Sequence, residues 1–277
     1  MCLECGCGLP GPTKINGNPA DGVNLPLTPQ HPHTYTHSHE DEHGHPHDHE
    51  HEHDHPHRHV EVQQSILTAN DRLAERNRGF FRALDLLVLN ILSSPGSGKT
   101  TFLQKTIELM GDSARCGVIV GDLETDNDAR RLRTTGAPVV QISTGTLCHL
   151  DAEMVARAVE EVGPKTLDVL FIENVGTLVC PSGFDLGEDL RVALLSVTEG
   201  EDKPLKYPPL FRFADIVVVT KVDLSAVCEF DRKTALDNIH LVNPKARLFE
   251  VSAKTGEGME AWRNYIAELH SQHNPKR

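Results

Sequence analysis

One nine-residue stretch limits the folds that this 277-residue chain can adopt. Residues 93–101 read SSPGSGKTT and come directly after the apolar run 86–92. A buried strand that passes through a glycine-rich turn into a helix presents backbone N–H groups to a phosphate. Ser93 occupies the first position of the GxxxxGKS/T pattern, where glycine is usual, and the closing Gly-Lys-Thr is intact. The stretch therefore predicts a phosphate-binding loop, with a chance Gly/Ser turn as the weaker alternative.

The residues of this loop have separate expected roles. Backbone N–H groups of the turn surround the phosphate oxygens, Lys99 reaches the β- and γ-phosphates, and the Thr100 hydroxyl binds Mg²⁺. Lys99 and Thr100 are therefore also candidate catalytic residues. The predicted phosphate-binding residues are Gly96, Ser97, Gly98, Lys99, Thr100 and Thr101.

The chain after this loop alternates short apolar runs with helical stretches. Such alternation predicts an α/β fold of the P-loop NTPase type, in which helices flank a mainly parallel sheet. Ligands of such a fold bind at the carboxyl ends of the strands. Besides the run 86–92, the predicted strands are 116–121, 138–143, 167–172, 192–197, 216–219 and 248–251.

An amphipathic helix is predicted over residues 65–81, ahead of the first strand of this domain. Ile66, Leu73 and Phe80 are spaced for one helix face, and charged residues occupy other positions. We expect this face to pack against the nucleotide domain, which is then assigned to residues 60–277.

Two later strand ends carry residues suited to a purine base. TKVD follows one predicted strand and SAK follows the next one. The Asp223 carboxylate can accept hydrogen bonds from guanine N1 and the 2-amino group, a donor pair that adenine lacks, which favours GTP. Thr220 stands where Asn is usual, which leaves the support of this loop open. The predicted base-binding residues are Lys221, Asp223, Ser252, Ala253 and Lys254.

Two acidic residues at strand ends complete the predicted phosphate side. Asp122 lies in GDLETDND, where it is expected to bind Mg²⁺ directly or through water. Glu173 lies in FIENVG, where many GTPases have the Asp of DxxG, and Gly176 is expected to respond to the γ-phosphate. Both acids are candidate catalytic residues. Ordinary acidic strand ends are the alternative.

Charge and apolar patterning argue against two classes of partner. The net charge is −13, and no basic stripe is present, so nucleic acid is not expected as a partner. No apolar stretch approaches membrane-spanning length, so no membrane partner is expected. The first residues, MCLECGCGLPG, lack the features of a secretory signal. These features predict a cytoplasmic protein.

Residues 31–59 differ in composition from the rest of the chain. They hold 13 of the 17 histidines, interleaved with acidic residues and prolines. This composition predicts a disordered linker over residues 9–59, whose His-rich part binds nickel, copper or zinc weakly and acts as a store. A solvated acidic linker is the alternative. The predicted storage ligands are His43, His45, His47, His49, His51, His53, His55, His57 and His59.

The first eight residues predict a tighter metal site. Cys2, Cys5 and Cys7 form CxxCxC beside two glycines, and three close thiolates are good ligands for soft metals. The alternatives are a redox role or inert thiols.

Three residues inside the nucleotide domain are further metal-ligand candidates. Cys148 and His149 are adjacent, and Cys180 lies four residues after Gly176. Together they could supply three ligands to zinc or nickel, with water or a neighbouring subunit supplying the rest. The remaining thiols, Cys116 and Cys228, are interpreted as small buried hydrophobes.

These motifs together resemble the HypB family of hydrogenase-maturation GTPases. The resemblance covers residue 60 to the end and the first seven residues. It is carried by CxxCGC, NDRLAERNR, SSPGSGKTT, GDLETDND, CHLDA, ENVGTLVCP and SVTEGEDKPLKYP.

The resemblance implies a SIMIBI-class P-loop GTPase that binds GTP or GDP with Mg²⁺ and dimerises in the GTP state. It implies transfer of Ni²⁺, with a HypA-type partner, to the large subunit of a nickel-iron hydrogenase. It also implies a Ni²⁺ or Zn²⁺ site at the dimer interface made by Cys148, His149 and Cys180. Lys203 or Lys206 is implicated in nucleotide or dimer contacts. A urease accessory GTPase and a nickel-storage protein with a GTP-dependent dimerisation switch are the alternatives.

Overall fold

The computed structural model describes residues 13–19, 36–40, 46–50, 56–123 and 125–273, with side chains for 13–18, 67–123 and 125–273. The chain divides into two compact units, one of Asp21–Thr68 and one formed by Met1–Ala20 and Ala69–Arg277. The CxxCxC thiols lie outside the described residues. Among the described helices, none is both long and apolar enough to span a bilayer.

Within the His-rich region the structure describes only the backbone of residues 36–40, 46–50 and 56–59. Strands β3 (Thr36–Glu40) and β4 (Pro46–Glu50) form an antiparallel pair, and helix α1 (Pro56–Ala83) begins nine residues before the predicted start. These elements cover only part of residues 9–59, and the linker stays a prediction. Of the predicted storage ligands, two lie in β4 and two in α1, whereas His43, His45, His51, His53 and His55 lie outside the described residues.

A nine-stranded sheet forms the centre of the larger unit. Its strands are β1 Lys14–Ile15, β2 Asn18–Pro19, β5 Leu87–Leu92, β6 Cys116–Asp122, β7 Val139–Ser143, β8 Val169–Glu173, β9 Leu190–Ser196, β10 Ile216–Thr220 and β11 Arg247–Val251. Their order in the sheet is β11-β10-β9-β5-β8-β6-β7-β1-β2. The strands from β11 to β7 are parallel, and β1 and β2 add an antiparallel edge. All seven predicted strands form, with ends shifted by one or two residues.

Helices cover both faces of this sheet. Parallel strands that are buried on both faces read as nearly continuous apolar runs, and every residue of β5, β8 and β10 is buried. The fold is therefore the predicted α/β type. The helices are α2 Lys99–Met110, α3 Asn127–Arg133, α4 Ala152–Val162, α5 Lys203–Lys206, α6 Pro208–Arg212, α7 Arg232–Val242 and α8 Met259–His273.

Alternate residues of a strand pack in different hydrophobic cores. Leu89 packs in a cluster with Phe102 of α2 and Trp262 of α8, whereas Val88 packs in a cluster with Val155 of α4. This two-residue alternation follows from the strand pleat. The fully buried Trp262 also donates from Nε1 to Thr106 Oγ1 at 3.0 Å, which joins α8 to α2.

Helix α1 buries a different face from the predicted one. Asn70, Ala74, Asn77 and Phe81 are buried, whereas Phe80 is 42% exposed. The physical reason is hydrogen bonding. The two asparagines donate to backbone carbonyl oxygens of loops, which an apolar helix face would leave without partners. The Asn77 amide donates to Ala152 O at 2.8 Å and to Leu186 O at 3.1 Å. The Asn70 amide donates to Asp185 O at 2.8 Å. Leu73 is only partly buried, and the Ile66 side chain is outside the described residues.

Residues expected in the linker form the edge hairpin β1–β2. Asn16 and Gly17 connect the two strands with φ values of 46° and 83°. Two residues with positive φ are typical of the tight turns that close hairpins, and Asn-Gly is the strongest short sequence signal for them. Ile15 is 5% exposed and packs in the core that faces α4. The Asn-Gly pair was the signal that could have predicted this hairpin.

Candidate functional site

The predicted phosphate loop connects β5 to α2. Gly96 and Gly98 have φ values of 75° and 98°, which side chains rarely adopt, so glycine is needed at both positions. Lys99 and Thr100 form the first turn of α2, and both are buried. The backbone N–H groups of a first helical turn have no partner within the helix, so this turn is suited to bind an anion.

Ser93 has a role that the sequence did not predict. Its Oγ receives hydrogen bonds from Lys99 Nζ at 3.1 Å and from Ser97 Oγ at 2.5 Å. Burial lowers the pKa of Lys99, and the charge of Glu173 acts in the opposite direction and raises it. The serine in the usual glycine position therefore holds the lysine in the loop.

Glu173 lies beside this turn at the end of β8. Thr100 Oγ1 donates to Glu173 Oε1 at 2.8 Å, and burial raises the pKa of the carboxyl to about 7. Among the described residues, Glu173 Oε2 is buried without a hydrogen-bond partner. A carboxylate oxygen and a hydroxyl oxygen are ligands of the kind that Mg²⁺ prefers. The residues present therefore fit the predicted magnesium.

Asp122, the second predicted magnesium residue, ends the neighbouring strand β6. Val120 pairs with Glu173, so Asp122 lies two residues further along the same sheet edge. Its Oδ1 accepts from Thr125 N at 3.0 Å. The structure thus brings both predicted acids to the carboxyl edge beside the phosphate loop.

One cavity lies beside the phosphate loop at the ends of β10 and β11. It brings together loop residues and the residues of the TKVD and SAK motifs. Phe102, Leu224 and Val251 add apolar surface, which the sequence did not predict and which suits a planar base. The predicted nucleotide-binding residues that line this cavity are Ser97, Gly98, Thr101, Lys221, Asp223, Ser252, Ala253 and Lys254.

The TKVD segment is fastened directly to the phosphate loop. Thr220 Oγ1 donates to Ser97 O at 2.8 Å, and Lys221 Nζ donates to Gly96 O at 2.6 Å. Thr220, at the position where Asn is usual, therefore supports the TKVD segment with its hydroxyl. Lys221 adopts φ 59°, a conformation uncommon for a non-glycine residue.

Cys148 and His149 lie together after β7. Cys148 Sγ is 4.0 Å from His149 Nδ1, and the imidazole stacks on Phe184 with ring centroids 3.8 Å apart. Burial lowers the pKa of His149 to about 4, which keeps the ring in the neutral form that binds metals.

Cys180 directly precedes a short 3₁₀ turn, Pro181–Gly183, on a different segment. Within the described part of this single chain, no group of three or more His, Cys, Asp or Glu residues could hold a metal ion. The structure thus brings two of the three predicted ligands together and does not add Cys180 to form a cluster. Of the two remaining thiols, burial raises the pKa of Cys116 to about 12, whereas Cys228 is exposed, contrary to its interpretation as a buried hydrophobe.

Asn174 joins the phosphate side to the Cys148–His149 segment, a connection that sequence reasoning missed. Its Oδ1 accepts from Leu150 N at 3.3 Å and from Val175 N at 2.9 Å, and its Nδ2 donates to Asn90 Oδ1 at 3.3 Å. The polar residue within the apolar run of β5, Asn90, was the only sequence signal of this buried network.

Lys203 and Lys206 pair with acids of their own segment. Lys203 Nζ lies 3.2 Å from Glu199 Oε1, and Lys206 Nζ lies 2.5 Å from Asp202 Oδ2. Of the two, only Lys203 is mostly buried.

A family model and several named relatives match this chain. The family described as CobW/HypB/UreG, nucleotide-binding domain, matches residues 87–250. Hydrogenase maturation factor HypB of Azotobacter chroococcum mcd 1 is 54% identical over 207 residues, which cover 75% of this chain and 68% of that protein. The HypB of Escherichia coli strain K12 is 51% identical, with 75% and 71% coverage.

Solved structures give the same assignment. HypB from Helicobacter pylori in complex with nickel has a TM-score of 0.70 and 39% identity, with coverage of 74% of this chain and 96% of that chain. HypB from Archaeoglobus fulgidus has a TM-score of 0.69 and 40% identity, with 74% and 100% coverage. This chain therefore belongs to the HypB family of hydrogenase maturation factors.

Proposed function

We propose that this chain hydrolyses GTP and uses the nucleotide cycle to deliver Ni²⁺ to the large subunit of a nickel-iron hydrogenase. The cavity that joins the phosphate loop to Asp223 is the observation that carries the proposal. Its polar residues converge from separate loops at the carboxyl edge of a parallel sheet, where ligands of such folds bind. The family to which the chain belongs supports the hydrogenase part of the proposal.

Asp223 selects guanine in this proposal. Its carboxylate accepts from guanine N1 and the 2-amino group, while Ser252, Ala253 and Lys254 close over the base. Because adenine offers no such donor pair, an adenine nucleotide leaves the carboxylate unpaired in the cavity. The hydrogen bond from Thr220 to Ser97 O keeps the TKVD segment at a fixed distance from the phosphate loop.

The phosphate side of the site supplies positive charge and positions the ion. Lys99 places its ammonium against the β- and γ-phosphates, while Thr100 and Asp122 hold Mg²⁺. When bound, Mg²⁺ neutralises charge that develops on the transferring phosphoryl group. Glu173 orients the Thr100 hydroxyl through Oε1 and offers Oε2 to the hydrated ion.

A GTP-dependent homodimer completes the nickel site in this proposal. Cys148 and His149 lie together in one chain, and the described part of that chain offers no group of three ligands. A second copy brings its own ligands to the interface, and Cys180 joins the site there. A HypA-type chaperone is the proposed nickel partner, and Zn²⁺ is a second ion that the same ligands accept. The nickel complex of the Helicobacter pylori relative supports this part.

Base selection is tested with Asp223→Asn. The amide cannot accept from both guanine donors, so GTP affinity is expected to fall by about 30-fold or more, equivalent to about 2 kcal/mol or more. Xanthosine triphosphate, with a carbonyl oxygen in place of the 2-amino group, is expected to bind the variant better than GTP does. Asp231→Asn, at the N-cap of α7, is the matched control. Unchanged GTP affinity measured by calorimetry contradicts the assignment.

Delivery is separated from storage by two variants in cells that make the hydrogenase. Lys99→Ala is expected to abolish maturation, because phosphoryl transfer loses its charge stabilisation. Deletion of residues 31–59 is expected to reduce maturation only when nickel is scarce. The opposite pattern, in which Lys99→Ala matures hydrogenase and the deletion does not, favours a storage protein.

A further inference from the structure

Helix α3 carries three arginines, and one of them reaches toward the phosphate loop. Arg131 Nη2 donates to Thr101 Oγ1 at 2.9 Å, which joins α3 to the first turn of α2. Arg130 and Arg133 of the same helix donate instead to residues outside the loop. Among the described arginines, only Arg131 has a hydrogen bond to a residue of the stretch 93–101.

Thr101 occupies a position where a bound phosphate is expected. Helix α2 begins at Lys99, and its first backbone bond runs from Phe102 N to Gly98 O at 2.8 Å. The N–H of Thr101 therefore precedes the ladder of helical bonds and is available to an anion. Thr101 also lines the cavity that extends to Asp223. Because the α-phosphate of a nucleotide connects the nucleoside to the terminal phosphates, it is the group that fits beside Thr101.

The guanidinium lies close enough to share such a phosphate. N and Oγ1 of one threonine are three bonds apart and are therefore separated by less than about 4 Å. Arg131 Nη2 thus lies within about 7 Å of Thr101 N. A phosphate oxygen that accepts from this N–H lies about 2.9 Å from the nitrogen, and a second oxygen of the same phosphate can face the guanidinium. The Arg131 side chain is 49% exposed, so it has room to turn toward the phosphate.

The chemistry of the guanidinium suits this contact. It has five N–H donors in a planar fork that matches phosphate oxygens, and within the described part of the chain only one hydrogen bond uses them. Asp128 Oδ1 lies 3.9 Å from Nη1, but this pair is partly exposed and therefore weak. Burial raises the pKa of Glu173, whereas the charges of Lys99 and Arg131 lower it. The positive charge of Arg131 is thus already felt on the phosphate side of the site.

We propose that Arg131 binds the α-phosphate of the bound guanine nucleotide and is a further nucleotide-binding residue of the site. This inference rests on the proposed function. Thr101 and Asp128 hold the guanidinium beside the first turn of α2, and the α-phosphate replaces them as its main partner. GDP and GTP share this phosphate, so Arg131 retains the nucleotide both before and after hydrolysis and does not distinguish the two.

The contact is tested by calorimetry with GDP and with a non-hydrolysable GTP analogue. Arg131→Gln is expected to weaken both by the same factor, about 10- to 100-fold, because a charge-assisted hydrogen bond to phosphate is lost. Arg130→Gln removes the same charge from the same helix and is expected to stay within about threefold of the parent, since an exposed charge is screened. Unchanged GDP affinity in Arg131→Gln, or a loss confined to the GTP analogue, overturns the proposal.

Sulfur substitution separates a phosphate contact from a merely structural link between α3 and α2. A sulfur atom accepts hydrogen bonds weakly, so the parent is expected to bind at least one diastereomer of GDP with sulfur on the α-phosphate about tenfold more weakly than GDP. In Arg131→Gln this ratio is expected to fall to about threefold or less. The corresponding ratio for GDP with sulfur on the β-phosphate stays at its parent value.

A structural link predicts a different result, because its loss weakens GDP and the α-sulfur nucleotide equally. A parent-level α-sulfur ratio in Arg131→Gln therefore overturns the proposal even if GDP affinity falls. A changed β-sulfur ratio with an unchanged α-sulfur ratio overturns it as well. A parent that does not bind GDP overturns the proposed function and this inference together, whereas equal GDP affinity in the parent and Arg131→Gln overturns only the role of Arg131.

Discussion

Glu173→Gln provides a quantitative test of how the phosphate side of the site is built. The carboxyl is 2% exposed, and burial raises its pKa from 4.5 to about 7 despite the nearby charge of Lys99. A glutamine of the same shape can still accept from the Thr100 hydroxyl, but it cannot ionise. The variant therefore removes the cost of a buried negative charge and keeps the local packing.

The expected effect has a defined sign and size. Between pH 4.5 and pH 7 the folded parent binds a proton at Glu173 that the unfolded chain releases. Its free energy of unfolding therefore falls as the pH rises through this window and is constant with respect to this group above it. A shift of about 2.5 pKa units corresponds to about 3 kcal/mol.

Urea unfolding of nucleotide-free protein in a chelator, at several pH values from 4.5 to 8, measures this difference. The free energy of unfolding of the parent minus that of Glu173→Gln is expected to change by about 3 kcal/mol across the range. The contributions of the other titrating groups cancel because both proteins contain them. Glu260→Gln, an exposed carboxyl on α8, is the control. A parent-minus-variant difference that stays flat within about 1 kcal/mol refutes the reasoning, since each pKa unit corresponds to 1.36 kcal/mol.

Three further changes have defined outcomes. Thr220→Val removes the bond to Ser97 O and is expected to weaken GDP binding by about 1–3 kcal/mol in calorimetry, whereas Thr220→Ser retains it. His149→Gln removes an imidazole whose pKa is lowered from 6.5 to about 4. In urea unfolding, the parent is therefore expected to lose about 3 kcal/mol of stability relative to the variant as the pH falls from 6.5 to 4. Trp262→Phe breaks the bond to Thr106 and is expected to lower the free energy of unfolding by about 1–3 kcal/mol, measured in the same way.

The parts of the fold that were predictable are those encoded by local patterns. The central parallel strands β5, β8 and β10 are short apolar runs because both their faces are buried, and a polar loop follows each of them at the carboxyl edge. The phosphate loop was predictable for the same reason, since its glycines and its lysine lie within nine residues. The convergence of TKVD and SAK on one cavity follows from parallel strand ends meeting at one edge.

The features that the sequence did not predict depend on contacts distant in the chain. The buried face of α1 was assigned by apolar spacing, whereas Asn70 and Asn77 are buried because loops more than 70 residues away offer backbone partners. In the sequence Ser93 is only a departure from the usual glycine, whereas in the structure its Oγ accepts a hydrogen bond from Lys99 Nζ. Neither contact leaves a periodic signal in the sequence.

The segment that follows Glu173 connects the two sets of candidate ligands physically. Asn174 Oδ1 accepts from Leu150 N, and Thr177 Oγ1 donates to Cys148 O at 2.7 Å. These two bonds lie on either side of His149. A nucleotide that moved Gly176 would therefore have to carry the Cys148–His149 segment along or break one of these bonds. We therefore predict that nucleotide and metal affinities are linked, with each ligand changing the affinity for the other by the same factor. Titration of nickel in the presence of GDP and of a non-hydrolysable GTP analogue measures this factor, and equal nickel affinities in the two states contradict the prediction.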